Sequence, residues 1–405
     1  MRNTAILLIL GAVVAVMVSN YLTGAILPAF RPSNSDFSEL YATSWLWRQG
    51  HNPYDSVLAS AAHQHVVGSS EDIFLVNVPT SLVLVAPFTV LSWGWANFVF
   101  QMLGVVGLAA TIFAILRLQG RSFWGIGASA LVVFVLSFSP LRIAFQWGNI
   151  ILLVLPLSFL TILLAEYKRD WQAGLLLGLA LCLKPQIGIW LGIYYLARTR
   201  FKIVWSALAV SFLVATLFFI HPIPYRDLMV SYRDNLQHWF APGGLYGFTE
   251  GSVSFALLRT QGVFYRMTHN VSVSSWLACV LFLICAGVWG RLIWRSGARL
   301  PSSLAIAALI AASFLSFYHS IPDVSLLIIA LCDAFPASLR DWTRIQKLIC
   351  ILLVLMMLPQ RSIFCISRSS PQCVHSQGVV VGSLLHAQYG LAPARPEYCV
   401  NSADA

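Results

Sequence analysis

Long apolar runs, almost free of charged residues, constrain the fold of this chain more than any other feature. They recur at about 5–27, 73–92, 95–116, 123–140, 149–165, 171–183, 186–197, 203–221, 273–294, 301–318, 321–335 and 345–358. A bilayer core requires roughly 20 apolar residues per helix, and an open sheet cannot satisfy its backbone in lipid. The sequence therefore predicts an all-α polytopic membrane protein with about 11–13 transmembrane helices.

The composition excludes several other classes of protein. Charged residues make up 10% of the chain, whereas a soluble domain carries about a quarter. The net charge of +10 comes from Lys and Arg in short turns between apolar runs, where such residues set membrane orientation. We therefore expect a lipid bilayer, and not a nucleic acid, as the partner of these charges. No Gly-rich nucleotide motif and no Cys/His metal spacing occurs, so no particular cofactor or metal is predicted.

Basic residues cluster in alternate turns, and these clusters predict the orientation of the chain. The clusters placed in the cytoplasm are Arg117 with Arg121, Lys168 with Arg169, Arg198 with Arg200 and Lys202, Arg291 with Arg295 and Arg299, and Arg340 with Arg344 and Lys347. Two larger loops, at about 28–72 and 222–272, then lie on the exported face with the turns 141–149, 183–187 and 318–323.

The region between loop 28–72 and Arg117 conflicts with this orientation. It contains two apolar segments, although an odd number of crossings is needed. Either 73–92 is re-entrant or interfacial, or 73–116 is broken differently, or the turn at Arg117 is an exception to the charge rule.

Two domains are expected. Residues 1–358 would form the transmembrane domain, with 5–27 as an uncleaved first span, and 359–405 would form a tail of unknown role. Within loop 222–272 the residues Leu228, Tyr232, Leu236 and Trp239 recur at helical spacing. This spacing predicts an amphipathic helix lying on the bilayer.

The polar stretch 36–54 separates two apolar runs. Its first residues, Asp36 to Glu39, fit a capping box at the start of a helix that would end at Gly50. Asp36 therefore has an ordinary interpretation as a helix cap. A cap residue can also project its carboxylate into a cavity, so a catalytic role for Asp36 stays open beside the capping role.

Three further groups of polar residues fall on the predicted exported face. Gln146 and Asn149 either begin a helix in the usual way or bind a ligand in a Gly-containing turn. Lys184 would either extend to the lipid headgroups or hold a lipid phosphate. His319 and Asp323 either close a turn together or serve the same site, because ionisable groups beside a span are costly unless they are used.

These residues resemble those of glycosyltransferase family 87, integral-membrane enzymes of the GT-C superfamily. The matching residues are Asp36, Tyr41, Gly50, Asn52, Pro53 and Tyr54, the turn Gln146-Trp147-Gly148-Asn149, Gly174 and Gly178 before Lys184-Pro185, and His319 with Asp323. Trp147 is an insertion relative to the family pattern. The resemblance covers roughly residues 5–335.

The resemblance implies a GT-C-type bundle that transfers a hexose, most simply mannose, from a polyprenyl-phosphate donor. The acceptor would be a glycan or glycolipid on the exported face of the bacterial inner membrane. Asp36 is implied to be the general base of an inverting transfer, and Lys184 a phosphate contact. Further candidates for binding the donor phosphate or the substrate are Arg142, His319, Asp323, Gln146, Asn149 and Tyr54.

The alternative function is a transporter or flippase for a glycolipid or a small solute. Transporters tend to place ionisable groups near the bilayer midplane on broken helices. Here the spans are almost free of charge and the polar groups cluster at one face, which favours surface chemistry.

Overall fold

A computed structural model of the protein describes residues 36–120, 126–221, 223–240, 257–258, 260–296, 302–316 and 319–329, and a few positions between 12 and 23. The predicted span 345–358 and the tail 359–405 lie outside the described residues. The proposed division into two domains therefore stays a prediction, as does the first span at 5–27.

The described part of the chain is almost entirely helical, which confirms the all-α class. The helices are α1 (Asp36–Arg48), α2 (Ser56–Val67), α3 (Pro79–Val85), α4 (Trp93–Leu118), α5 (Ile126–Ser137), α6 (Ser139–Gln146), α7 (Ile151–Glu166), α8 (Asp170–Leu183), α9 (Pro185–Ala197), α10 (Phe201–Phe218), α11 (Tyr225–Phe240), α12 (Thr260–Thr268), α13 (Val271–Ser296) and α14 (Ser302–Ser316). Short 3₁₀ helices cover Ala86–Val90 and Ile321–Leu327. Among described residues, strand pairing is limited to Leu257–Leu258 (β1) against His319–Ser320 (β2), in antiparallel orientation.

Three described helices are long and apolar enough to cross a bilayer, namely α4, α10 and α13. Their outer surfaces are apolar, as shown by Phe212 on α10 and Trp276 on α13, which are 76% and 72% exposed. Large apolar side chains in such positions are typical of lipid-facing surfaces. Four further apolar helices are shorter than a full span. The total of 11–13 crossings and the two exported loops stay predictions.

The segment Pro79–Val90, formed by α3 and its 3₁₀ extension, bears on the orientation conflict. Twelve helical residues span about 18 Å, less than the roughly 30 Å of a hydrocarbon core. The chain before α3 lines a cavity beside α1 through Asn77. The chain after it reaches α1 again, because the rings of Phe37 and Trp93 lie 5.8 Å apart. The segment thus begins and ends beside α1, which favours the re-entrant or interfacial alternative.

Helices α8 and α10 pack closely because α8 carries two glycines one turn apart. A Cβ atom at Gly174 would lie 2.5 Å from the Ile203 carbonyl oxygen, and one at Gly178 would lie 2.6 Å from Cβ of Val210. Small residues at this spacing let two apolar helices approach closely. The contact fixes α8, and with it Lys184 at its end.

Helix α1 lies across one end of this bundle. The Asp36 amide donates to the Trp147 carbonyl at 2.8 Å, and Trp47 Nε1 donates to the Phe218 carbonyl at 3.1 Å. At the opposite end of α10, the Arg200 guanidinium forms an ion pair with Asp170. The turns between α6 and α7 and after α10, which the charge rule assigns to the exported face, therefore meet at α1.

The end of α1 follows the sequence prediction. Gly50 adopts a left-handed conformation with φ +81°, which favours glycine. Its amide donates to the Trp47 carbonyl at 2.8 Å, while the His51 amide donates to the Leu46 carbonyl at 3.2 Å. This pair of bonds forms a Schellman motif. At its other end, α1 begins at Asp36 itself.

Helix α11 packs on the protein, so the prediction that its apolar face lies on the bilayer was wrong. Leu228 is buried, and the buried Asn235 side chain donates to the carbonyls of Tyr54 and Leu75, each at 3.0 Å. The extended chain before α3 presents carbonyl groups that need partners, and polar side chains of α11 supply them.

Candidate active site

A cavity of about 210 Å³ lies where α1 covers the end of the bundle. Its wall is formed by the first turn of α1, the chain before α3, the α6–α7 turn, the α8–α9 junction and α11. The lining residues are Asp36, Glu39, Leu40, Phe74, Val76, Asn77, Val78, Trp147, Asn149, Ile150, Leu183, Lys184, Pro185, Gln186, Leu236, Trp239 and Ser320. These residues are scattered through the sequence, so only the tertiary fold brings them together.

Asp36 lies in the cavity wall at the start of α1, outside the candidate membrane spans. Its carboxylate accepts a hydrogen bond from the Asn149 side-chain amide. Burial raises the pKa of Asp36, while the Asn149 hydrogen bond and the Lys184 charge oppose that rise. The pKa of the Asp36 carboxyl group is therefore higher than that of a solvent-exposed aspartate, although the positive charge of Lys184 acts on it.

Asn149 serves both roles that its sequence position allowed. Its Oδ1 atom accepts from the Ile151 amide at 3.0 Å, which satisfies a donor at the start of α7. Its Nδ2 group donates to Asp36. One amide side chain thus caps a helix and orients a cavity carboxylate.

Lys184 joins α8 to α9 and is 8% exposed. Its ammonium group forms an ion pair with the fully buried carboxylate of Asp323. The second oxygen of Asp323 accepts from the Ser320 amide at 3.0 Å. Lys184 therefore does not extend to the headgroups. Asp323 holds the ammonium group from behind and does not itself line the cavity.

Glu39 is a second carboxyl group in the cavity wall, one helical turn after Asp36. Burial raises its pKa to about 8, with further contributions from the negative charges of Asp36 and Glu71. The sequence interpretation used Glu39 only as a capping residue. Its spacing of three residues from Asp36 was the signal that both carboxyl groups share one helix face.

The first turn of α1 is held by a buried histidine from α2. His63 is fully buried, with Nδ1 2.9 Å from the Ser69 carbonyl oxygen and Nε2 3.0 Å from Ser38 Oγ. A carbonyl oxygen only accepts, so Nδ1 carries a proton, and Nε2 lies within hydrogen-bond distance of the Ser38 hydroxyl. This link fixes Ser38, the neighbour of Glu39.

Arg142, Gln146 and Tyr54 are not among the described residues that line the cavity. Arg142 and Gln146 lie half-buried on α6. Tyr54 is 2% exposed and donates its hydroxyl proton to the Asn77 carbonyl at 2.8 Å, so it supports a cavity residue from behind. The backbone of His319 lies in β2, while its side chain is outside the described part of the structure.

The cavity chemistry suits proton transfer and the binding of an anion. Asp36 can accept a proton, and Lys184 and Asn149 supply hydrogen-bond donors close to it. Among described residues, no group of three or more His, Cys, Asp or Glu side chains is arranged to hold a metal ion. A carboxylate beside a buried cation is typical of sites that remove a proton while stabilising a leaving anion.

Comparison with known proteins identifies the class of enzyme. No curated protein and no solved structure matches the chain. Residues 74–320, more than half of the chain, match glycosyltransferase family 87. The match includes Lys184 and the α6–α7 turn, while Asp36 lies N-terminal to it. It favours an enzyme over the transporter alternative. The apolar helices and this match together indicate that the chain is a membrane protein that belongs to glycosyltransferase family 87, and hence a glycosyltransferase.

Proposed function

We propose that the protein transfers a hexose, most simply mannose, from a polyprenyl-phosphate donor to a hydroxyl group of a glycan or glycolipid. The reaction would take place on the exported face of a bacterial inner membrane. The observation that carries this proposal is the shared cavity of Asp36 and Lys184 at one end of an apolar helical bundle. A lipid-linked donor also suits a sequence without a Gly-rich nucleotide-binding motif.

In this reaction the acceptor oxygen attacks C1 of the donor sugar while its proton passes to the Asp36 carboxylate. The bond between C1 and the phosphate oxygen breaks, and its electron pair leaves with polyprenyl phosphate. Attack opposite to the leaving group inverts the configuration at C1. The raised pKa of Asp36 supports this role, because a base works best when its pKa approaches the working pH.

Lys184 would stabilise the negative charge that develops on the leaving phosphate. An ammonium group has three N–H donors, and Asp323 occupies one of them. The others can serve the phosphate, with Asp323 acting as a positioning residue. Arg142 and His319 remain candidates for a second phosphate contact. Gln146 and Tyr54 would act indirectly, through the α6–α7 turn and through Asn77.

The test is transfer of mannose from polyprenyl-phosphate mannose by the purified protein, comparing wild type with Asp36→Asn. Loss of a general base typically lowers a rate by about 10²–10⁴-fold, and we expect a loss in that range. Asp234→Asn is the matched control, because Asp234 lies exposed on α11. Undiminished transfer by Asp36→Asn would remove the assignment of the base. Failure of the wild type with this donor would direct the search to other polyprenyl-phosphate sugars.

A further inference from the structure

Part of the cavity is left without a role by the proposed transfer. This part is formed by Glu39 on α1, by Asn77 before α3 and by Trp239 on α11. We propose that Glu39, Asn77 and Trp239 form a subsite that binds an uncharged sugar ring of the acceptor. The assignment to the acceptor rests on the proposed function, whereas the sugar-binding property of the subsite can be tested without it.

Glu39 is placed to hold a group that reacts at Asp36. Side chains three residues apart on a helix are neighbours, with Cβ atoms roughly 5–6 Å apart. Among described residues, the Glu39 carboxyl group has no hydrogen-bond partner, although it lies in the cavity wall. Polar groups withdrawn from bulk water normally have a partner. A ligand hydroxyl group would supply one.

Trp239 provides a rigid aromatic surface in the same wall. Its indole N–H donates to the Phe74 carbonyl, which fixes the ring against the chain before α3. Helix α11 is itself held there by Asn235, which bonds to the carbonyls of Tyr54 and Leu75. A rigid aromatic side chain offers contact area at low entropic cost, and a pyranose ring has an apolar C–H face that suits it.

The protonation state of Glu39 favours an uncharged ligand. With a pKa of about 8, raised mainly by burial, its carboxyl group is neutral at pH 7 and can both donate and accept hydrogen bonds. A neutral carboxyl group has no net attraction for a cation. A polyhydroxyl compound matches this group, together with the amide of Asn77, better than an ion does.

The electrostatic neighbours of the two carboxyl groups assign the subsite to the acceptor. Asp36 experiences the charge of Lys184, whereas Glu39 experiences the charges of Asp36 and Glu71. The Lys184 charge therefore acts on Asp36, and Glu39 lies one turn further along α1. In an in-line displacement the attacking and leaving oxygens lie on opposite sides of C1. If Lys184 binds the donor phosphate, the acceptor therefore binds in the part of the cavity that Glu39 lines.

The subsite is tested by direct binding of octyl α-D-mannopyranoside and octyl β-D-glucopyranoside, followed by saturation-transfer NMR. The full-length protein is held in a detergent without a sugar headgroup, and no donor is added. We expect saturable binding of at least one glycoside by the wild type. Glu39→Ala and Trp239→Leu should each weaken it about tenfold, the scale of one lost hydrogen bond or ring contact. Glu39→Gln should bind nearly as the wild type does, because an amide also donates and accepts.

Matched controls are Glu166→Ala and Trp276→Leu. Glu166 is an exposed residue at the end of α7, whereas the cavity lies at the start of that helix, and Trp276 is an exposed residue on α13. A thermal unfolding curve for each variant establishes that it is folded. Should Glu39→Ala fail to fold, Glu39→Met in its place keeps the side-chain volume without the polar group. No saturable binding by the wild type overturns the subsite, and so does binding by Glu39→Ala and Trp239→Leu that equals binding by the wild type.

Asp36→Asn separates this proposal from the proposed function, because binding a glycoside requires no proton transfer. Intact binding with lost transfer supports both. Intact transfer by Asp36→Asn, together with weakened binding in Glu39→Ala, would remove the base and leave the subsite. In the transfer assay itself, Glu39→Ala should raise KM for the acceptor about tenfold and leave KM for the donor unchanged.

Discussion

Replacing Glu39 by Gln should make the stability of the folded protein less dependent on pH. In the folded state the pKa of Glu39 is raised to about 8, chiefly by burial, from an ordinary value of 4.5. The unfolded chain therefore loses this proton at much lower pH than the folded chain. Gln has the same shape and does not titrate, so the substitution removes this difference while preserving the packing of α1.

The direction and the size of this pH effect on stability follow from the difference in proton binding between the folded and unfolded states. Below pH 4.5 both states hold the proton, and Glu39 has no pH-dependent effect on stability. Between pH 4.5 and 8 the folded state holds a proton that the unfolded state has lost, so the free energy of unfolding falls as pH rises. Above pH 8 both states have lost the proton, and the free energy of unfolding stays at its lowered value. The pKa of Glu39 differs by about 3.5 between the folded and unfolded states, and this difference corresponds to a loss of roughly 3–5 kcal/mol in the free energy of unfolding.

The measurement is thermal unfolding in detergent, followed by tryptophan fluorescence at pH values from 5 to 9. The midpoint of the wild type should fall across this range, and that of Glu39→Gln should fall less, so that the variant is the more stable protein at pH 9. Glu166→Gln is the control, because Glu166 is exposed. Parallel curves for the wild type and Glu39→Gln would refute the inference that this carboxyl group is held protonated by burial.

Three further substitutions test the cavity and its scaffold. Asn149→Ala removes a donor that lowers the pKa of Asp36, so the acidic limb of the rate–pH profile for transfer should move to higher pH by about one unit. Asp323→Asn leaves the Lys184 ammonium without its buried partner and should cost about 3–5 kcal/mol of stability in chemical denaturation, whereas the double variant with Lys184→Met should recover most of this loss. Gly178→Leu should abolish the close packing of α8 and α10 and lower the thermal midpoint strongly.

Each of these predictions has an outcome that contradicts it. An unmoved acidic limb in Asn149→Ala would show that its hydrogen bond does not tune the base. Equal stability of the Asp323 single and double variants would show that the lone ammonium group is not the source of the loss. Gly287→Leu on α13 is the control for Gly178, because a Cβ atom at Gly287 meets nothing within 4 Å. Similar midpoints for the two leucine variants would contradict the packing argument.

The sequence by itself determined the local and the bilayer-imposed features of this protein. Apolar runs of span length predicted an all-helical membrane chain, because such a run forms all its backbone hydrogen bonds within itself as a helix, whereas an open sheet cannot satisfy its backbone in lipid. Gly50 predicted the end of α1, since a left-handed turn residue favours glycine. The family motifs predicted a family 87 glycosyltransferase, which the match over residues 74–320 confirms.

Only the tertiary structure decided which polar groups become neighbours. Asn149 reaches Asp36 across 113 residues, and Lys184 reaches Asp323 across 139 residues. Sequence periodicity reports which face of a helix is apolar, but not what covers that face. For that reason the sequence predicts that α11 lies on the bilayer, although it packs on the protein. The sequence also leaves open whether Lys184 extends to the lipid headgroups or binds a phosphate. In the sequence Glu39 fits a helix cap. Its position beside Asp36 in a cavity wall depends on the other segments that pack around α1.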